Sequence, residues 1–340
     1  MIYKNVPLKK YNTFGLEYKA DCMIHLTSEK ETAKLFSGAG TFKKPLFILG
    51  GGSNLLFTSD FKGTILYPDF RGIKIEKEES GNETVIVSAG AGIIWDDLVK
   101  WAVNRNLGGL ENLSLIPGKV GATAVQNIGA YSVEVKDLIA KVRAIRLRDG
   151  SVKFFTNEEC GFGYRNSNFK NSEKGNYLVT RVYFRLCSKP SLNLRYGSLK
   201  EEVERLGAVT LKNVRRAVIN IRRSKLPDPE ITGNAGSFFK NPVINNSEAD
   251  ALKKLYPEMP VYEDREGFKK LASGWLIDSL GWKGKRFGDA GVHEKQALVL
   301  INYGNASGME IFKLSEDIKK SVFEKFGIKL EREVEIIGPI

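Results

Sequence analysis

The chain has 340 residues, 42% hydrophobic and 27% charged, with a formal charge of +12, two His and three Cys. That balance is a soluble globular protein of about two or three domains, and so few His and Cys leave no basis for a disulfide framework or a zinc site. The basic residues are scattered rather than gathered into one stripe, which argues against nucleic acid and for small phosphorylated ligands.

The opening MIYKNVPLKKYNTFG lacks an apolar run, so no signal peptide is expected. Residues 45–49 (PLFIL) read as a short buried strand, with Gly50–Asn54 following at once and a second apolar run at Leu55–Phe57. Residues 85–89 read as a strand, and 93–107 as a helix with Ile94, Leu98, Trp101 and Ala102 at helical spacing, stopped by Gly108-Gly109. The middle is β-rich: 142–148 turns through Asp149-Gly150 into 152–155, and 177–186 alternates again. A helix at 211–223 has its apolar stripe on Leu211, Val214, Val218 and Ile221, with Arg215, Arg216, Arg222 and Arg223 off it. Helices at 248–255 and 271–280, a strand at 296–301, an amphipathic helix at 309–326 and a strand at 330–337 complete the chain. The class is α+β without a regular βαβ rhythm, and the compositional shift near residue 210 is the expected domain boundary.

Five stretches can carry chemistry. Gly50–Asn54 exposes successive backbone N–H groups to which a phosphate can bind, although taken alone it reads as a tight turn; neither G-x-G-x-x-G nor a P-loop occurs. Residues 111–131 (ENLSLIPGKVGATAVQNIGAY) are small, irregular and too apolar for a surface loop, which suits a backbone wrapped around a flat ligand. Residues 160–170 set Arg165 in a glycine-bounded turn, suited to a carboxylate or equally to a surface salt bridge. Residues 233–242 set Ser237 in a small-residue turn without a nucleophile elbow. In L-E-R-E-V-E-I the period of a strand puts Glu331, Glu333 and Glu335 on one face, solvated or facing a cationic pocket.

The order of these motifs carries more than any one of them. Y-N-T-F-G at 11–15, G-G-G-S-N-L-L-F at 50–57, G-L-E-N-L-S-L-I-P-G at 109–118 and V-Q-N-I-G-A-Y at 125–131 open the series. F-G-Y-R-x-S-x-F-K at 162–170, K-L-P-D-P at 225–229, G-N-A-G-S-F-F-K-N-P at 233–242, A-S-G-W-L-I-D at 272–278, Q-A-L-V-L-I-N at 296–302 and the closing L-E-x-E-V complete it. Over nearly its whole length the chain resembles the UDP-N-acetylenolpyruvoylglucosamine reductases.

The resemblance implies an α+β, vanillyl-alcohol-oxidase-type (PCMH-like) FAD-binding fold of two subdomains, 1–68 and 69–209, with a C-terminal α+β substrate-binding domain, 210–328, and a last strand, 329–340, carrying Glu333. It implies a cytoplasmic, monomeric enzyme of peptidoglycan precursor synthesis, without nucleic-acid or membrane partner. NADPH reduces FAD, and FAD reduces the enolpyruvyl ether to a lactyl ether. Gly50, Gly51, Gly52, Ser53 and Asn54, with Ile116, Pro117, Gly118, Gly121, Ala122, Gln126, Asn127, Gly129 and Ala130, match FAD-binding positions. Arg165 and Glu333 match the pair at the substrate carboxylate, Glu333 expected as a neutral donor or as a steering partner of Arg165. Ser237 matches the proton donor. Tyr196, Lys225, Asn241 and Gln296 match residues holding the UDP-sugar, and Tyr262 the tyrosine of a mobile loop, 260–271. Another flavin-dependent oxidase or dehydrogenase of the same fold is the alternative.

Overall fold

The computed structural model describes residues 1–38, 42–78 and 83–340. In chain order its elements are β1 (Ile2–Pro7), β2 (Lys19–Leu26), α1 (Glu29–Ser37), β3 (Leu46–Ile48), β4 (Leu55–Phe57), β5 (Phe61–Pro68), β6 (Ile73–Glu78), β7 (Thr84–Gly90) and α2 (Trp95–Asn104). Next come α3 (Val120–Gln126), β8 (Gly129–Ala130), β9 (Val133–Glu134), β10 (Ile139–Arg146), β11 (Val152–Thr156), β12 (Tyr177–Cys187), α4 (Leu199–Arg205) and α5 (Leu211–Lys225). The remainder runs β13 (Gly233–Ser237), β14 (Val243–Asn245), α6 (Asn246–Leu255), β15 (Val261–Glu263), β16 (Phe268–Leu271), α7 (Ser273–Asp278), β17 (Arg286–Phe287), β18 (Ala290–Val292), β19 (Val299–Asn302), α8 (Gly308–Phe326) and β20 (Glu335–Ile337).

Two compact units share this chain. The first takes residues Met1–Val6, Ala20–Gly51 and Lys62–Ser224. It contains a four-stranded sheet, β1-β2-β5-β3, and an antiparallel five-stranded sheet, β11-β10-β12-β7-β6. The central strands bury Val87, Val142, Val182 and Phe184, and α2 lays Trp95, Leu98, Val99, Ala102 and Val103 in the same core. Each large apolar side chain so buried contributes about 1.5–3 kcal/mol. Trp95 is fully buried and its indole N–H still finds a partner, the Leu113 carbonyl at 2.8 Å. The Asp149-Gly150 hairpin forms as expected. Gly150 takes φ 71°, and a Cβ there would lie 2.1 Å from the Ala33 carbonyl oxygen of α1. The compositional shift near residue 210 falls inside this unit, because the α5 stripe of Leu211, Val214, Val218 and Ile221 is in this unit and packs in part with Leu199 and Val203 of α4.

The second unit takes Pro7–Lys19, Gly52–Phe61 and Lys225–Ile340. Its sheet runs β13-β19-β18-β17, beside a small sheet β14-β16-β15 and a parallel pair β20-β4. The helix α8 lays Ile311, Leu314, Ile318, Val322 and Phe326 on that core. It starts at a reciprocal Ser307–Glu310 capping box and stops at Gly327, φ 70°. Phe14, Leu16 and Leu56 reach this core from two distant stretches of sequence. The Y-N-T-F-G motif is what brings Phe14 and Leu16 in. The Asn12 side chain donates to the Leu8 and Leu16 carbonyls and accepts from the Leu16 N–H, closing the loop on itself.

Three expectations are corrected. The stretch 111–131 is not irregular throughout: α3 occupies Val120–Gln126, where Gly121 closes against Ala91 and lets about two turns of helix dock. The segment 260–271, expected as a loop, is the β15–β16 hairpin, paired Tyr262 to Lys270. The last strand is only Glu335–Ile337, not 330–337.

Candidate active site

In the first unit, β3 runs into Gly50-Gly51. A Cβ on Gly51 would stand 2.8 Å from the Gly118 Cα, and one on Gly50 3.4 Å from the Ala122 Cβ. One on Gly121 would stand 2.7 Å from the Ala91 Cβ. Residues 50–51, 91 and 118–122 therefore pack closely, with only the methyl groups of Ala91 and Ala122 among them, a cradle that admits no side chain at Gly51 or Gly121. The segment is held in shape from outside. Leu115 takes a left-handed φ of 58°, and its N–H donates to the Asp96 carboxylate at 2.6 Å. Arg215 of α5 grips both oxygens of Asp96 at 2.6 Å. Burial works against ionised Asp96, but Arg215 and the Leu115 N–H outweigh it and hold the carboxyl below its usual range. Two turns further along α5, the Arg222 guanidinium lies where burial pulls its pKa down, opposed by Tyr131 and Asp96. Its Nε is buried and finds no hydrogen-bond partner among the described residues. The sequence reading set both arginines merely off the apolar stripe; their seven-residue spacing, which stacks them on one helix face, is the signal that was there. Lys119 is buried too, its ammonium 3.3 Å from the Pro68 carbonyl and over the Tyr67 ring, pulled by burial down to about 8.

Arg165 occupies a two-residue turn closed by paired hydrogen bonds between Gly163 and Asn166, in a left-handed conformation of φ 53°. Holding a non-glycine residue there costs about 1–3 kcal/mol. Its guanidinium donates to the Gly129 carbonyl at 2.7 Å, which joins it to the V-Q-N-I-G-A-Y segment. Tyr196 is half-exposed and meets Tyr131 edge-on at 4.9 Å.

The second unit brings Ser237 and Glu333 together through backbone. The Glu333 N–H donates to the Phe238 carbonyl at 2.8 Å, and the Lys240 N–H to the Glu331 carbonyl at 2.9 Å. The chain then turns a corner. The Asn54 amide donates to the Glu333 carbonyl at 3.1 Å, and the Glu335 N–H to the Asn54 carbonyl at 3.1 Å. Changing pairing partner at this corner is why 330–337 is not one strand. The expectation of Glu331, Glu333 and Glu335 on one strand face is therefore overturned. Glu331 is exposed and pairs with Lys240, while Arg332 is tied to Ser315 and Glu316 of α8. Glu333 stays at the corner, half-buried. Two residues before Asn54, Gly52 packs on the Y-N-T-F-G motif: a Cβ there would lie 1.9 Å from the Tyr11 carbonyl oxygen.

Nearby in sequence, the Asn241 Oδ1 accepts from the Ser273 N–H at 3.1 Å and hydroxyl at 2.9 Å. The Gln296 Oε1 lies 3.2 Å from where a Gly274 Cβ would stand. Both amides thus border the start of α7. Lys225 is exposed at the end of α5, and Tyr262 is exposed on β15. Among the described residues no group of three or more metal-ligating side chains exists, and no helix is long and apolar enough to cross a membrane.

Residues 228–337 match the family described as UDP-N-acetylenolpyruvoylglucosamine reductase, C-terminal domain, and residues 20–156 the family described as FAD binding domain. The UDP-N-acetylenolpyruvoylglucosamine reductase of Flavobacterium johnsoniae is 48% identical over 99% of both chains. That of Pseudomonas aeruginosa is 43% identical over 98% of both. The crystal structure of the Thermus caldophilus enzyme of that name has a TM-score of 0.67 at 25% identity, covering 99% of this chain and 98% of that one. The chain belongs to the UDP-N-acetylenolpyruvoylglucosamine reductase family.

Proposed function

We propose that this chain reduces the enolpyruvyl ether of UDP-N-acetylenolpyruvoylglucosamine to the lactyl ether, UDP-N-acetylmuramate, with FAD as carrier and NADPH as hydride donor. It acts in the cytoplasm as a monomer on small molecules, in peptidoglycan precursor synthesis. The observation that carries the reading is the Glu333 N–H on the Phe238 carbonyl, which brings the backbone of Glu333 beside the residue that follows Ser237.

The first unit fits a flavin dinucleotide. Gly51 and Gly121 let residues 50–51, 91 and 118–122 pack closely, a glycine-rich backbone of the kind suited to a diphosphate, and Arg222 has a buried Nε without a partner among the described residues. Bound FAD supplies a two-electron carrier between NADPH and a carbon–carbon double bond. Arg165 pairs with the substrate carboxylate and neutralises the charge that gathers on it as hydride adds to the terminal carbon. Ser237 gives its hydroxyl proton to the other carbon. A serine hydroxyl is a weak acid, so the step requires a strongly basic enolate. Glu333, half-buried at the corner, donates to that enolate as the neutral acid. Lys225 and Tyr196 hold the diphosphate, Asn241 and Gln296 the sugar, and Tyr262 closes over the ligand.

The visible absorption spectrum of the purified protein tests this, recorded before and after anaerobic NADPH and again after the enolpyruvyl UDP-sugar. A flavin band that bleaches and returns is expected. Bleaching without return leaves another flavoenzyme of this fold, and protein that stays colourless with added FAD overturns the reading.

A further inference from the structure

Asn127 stands in the segment expected to contact FAD, yet its side chain is wholly buried and its amide is spent inside the protein. The Nδ2 hydrogens go to the Gly163 carbonyl at 2.8 Å and to the Glu134 carboxylate at 2.9 Å. Its Oδ1 accepts the Lys136 N–H at 3.0 Å, and Glu134 is itself paired with the Lys136 ammonium at 3.2 Å. No hydrogen of that amide is left for a ligand. Its backbone has φ 47° at the end of α3, a conformation asparagine tolerates.

What Asn127 grips is the base of the Arg165 turn. Gly163 is one half of the pair that closes that turn, and Arg165 is two residues away. A second clamp lies on the other side. The Ser167 hydroxyl, on a fully buried residue, donates to the Val125 carbonyl at 2.5 Å. The third tie is the Arg165 guanidinium on the Gly129 carbonyl. Residues 163, 165 and 167 are thus fastened one by one to residues 127, 129 and 125. We infer that Asn127 is a positioning residue: it fastens the Arg165 turn to the segment 116–131, so that Arg165 is placed by the same backbone that forms the cofactor cradle.

The inference rests on the role proposed for Arg165, and its test separates the two. Stopped-flow absorbance of flavin-loaded protein measures reduction by NADPH and reoxidation by the enolpyruvyl sugar separately for wild type, Arg165→Ala, Asn127→Asp and Ser167→Ala. Asn127→Asp keeps the left-handed backbone and the acceptor for Lys136 but removes both N–H donors. Reoxidation is expected to slow about 10- to 100-fold in Asn127→Asp, the loss that an ångström of misplacement produces. A smaller loss is expected in Ser167→Ala, and NADPH reduction stays within about twofold in both. If Arg165→Ala reoxidises normally, the role of Arg165 fails and the inference with it. If Arg165→Ala is slow while the other two match wild type, the inference alone is overturned. Loss of bound flavin, or equal slowing of both half-reactions, in both variants also overturns it, in favour of a direct cofactor or purely structural role.

Discussion

Ser237 owes its orientation to a defect in a strand. β13 pairs with β19 at Asn234 and again at Ser237 with a register shift between them, and Gly236 inside the shift has φ 69°. Such a bulge re-aims the next side chain, and the Asn234 Oδ1 fixes it by accepting the Gly236 N–H at 2.9 Å. Ser237→Ala keeps this backbone and removes the hydroxyl alone. Flavin reduction by NADPH is expected to proceed unchanged, while reoxidation by the enolpyruvyl sugar falls by about 10²- to 10⁴-fold, the weight of a positioned proton donor. Single-turnover absorbance of each half-reaction checks it, and equal losses in both would show that Ser237 is not the proton source.

At the scale of elements, the cofactor cradle depends on α5 reaching back to α2. The Arg215–Asp96 pair and the Leu115 N–H hold the loop before Gly118 in its left-handed turn. Because the Asp96 pKa is lowered on folding, ionised Asp96 stabilises the native state above its unfolded pKa of about 3.9. That contribution is lost as pH falls through the lower folded value. The gap in urea midpoint between wild type and Asp96→Asn is therefore expected to be full at pH 6 and to shrink steadily below about pH 4. Urea titrations at pH 6, 4 and 3 measure it, and a gap that widens on acidification would refute the pairing.

The second unit is assembled from three separated stretches, 7–19, 52–61 and 225–340. Phe14, Leu16 and Leu56 are each at most 2% exposed within its core. At about 1.5–3 kcal/mol each they represent roughly the whole margin by which a domain of this size is stable. A fragment spanning 225–340 is accordingly expected to lack a cooperative unfolding transition. Circular dichroism in a urea series decides, and a sigmoidal transition from the fragment alone would show that the first two stretches are dispensable.

The sequence by itself determined the elements with strong periodicity: α2, α5 and α8, the β10–β11 hairpin, and the order of motifs that identifies the family. Local patterns suffice there, because each residue needs only its own helix stripe or strand face to be placed. The tertiary structure alone decided the rest. α3 was hidden because Gly121 and the β-branched Val120, Thr123 and Val125 weaken the helical signal of so short a segment, and the close approach of Gly121 to Ala91 supplies the packing that the local pattern does not reveal. The acids of 331–335 alternate as a strand would, but the chain leaves Phe238 for Asn54 at Glu333, a change of partner no local pattern encodes. Likewise Asn127 reads as one more polar residue in a ligand-wrapping loop. Only the three-dimensional neighbours of its amide reveal that it is spent on Gly163, Glu134 and Lys136.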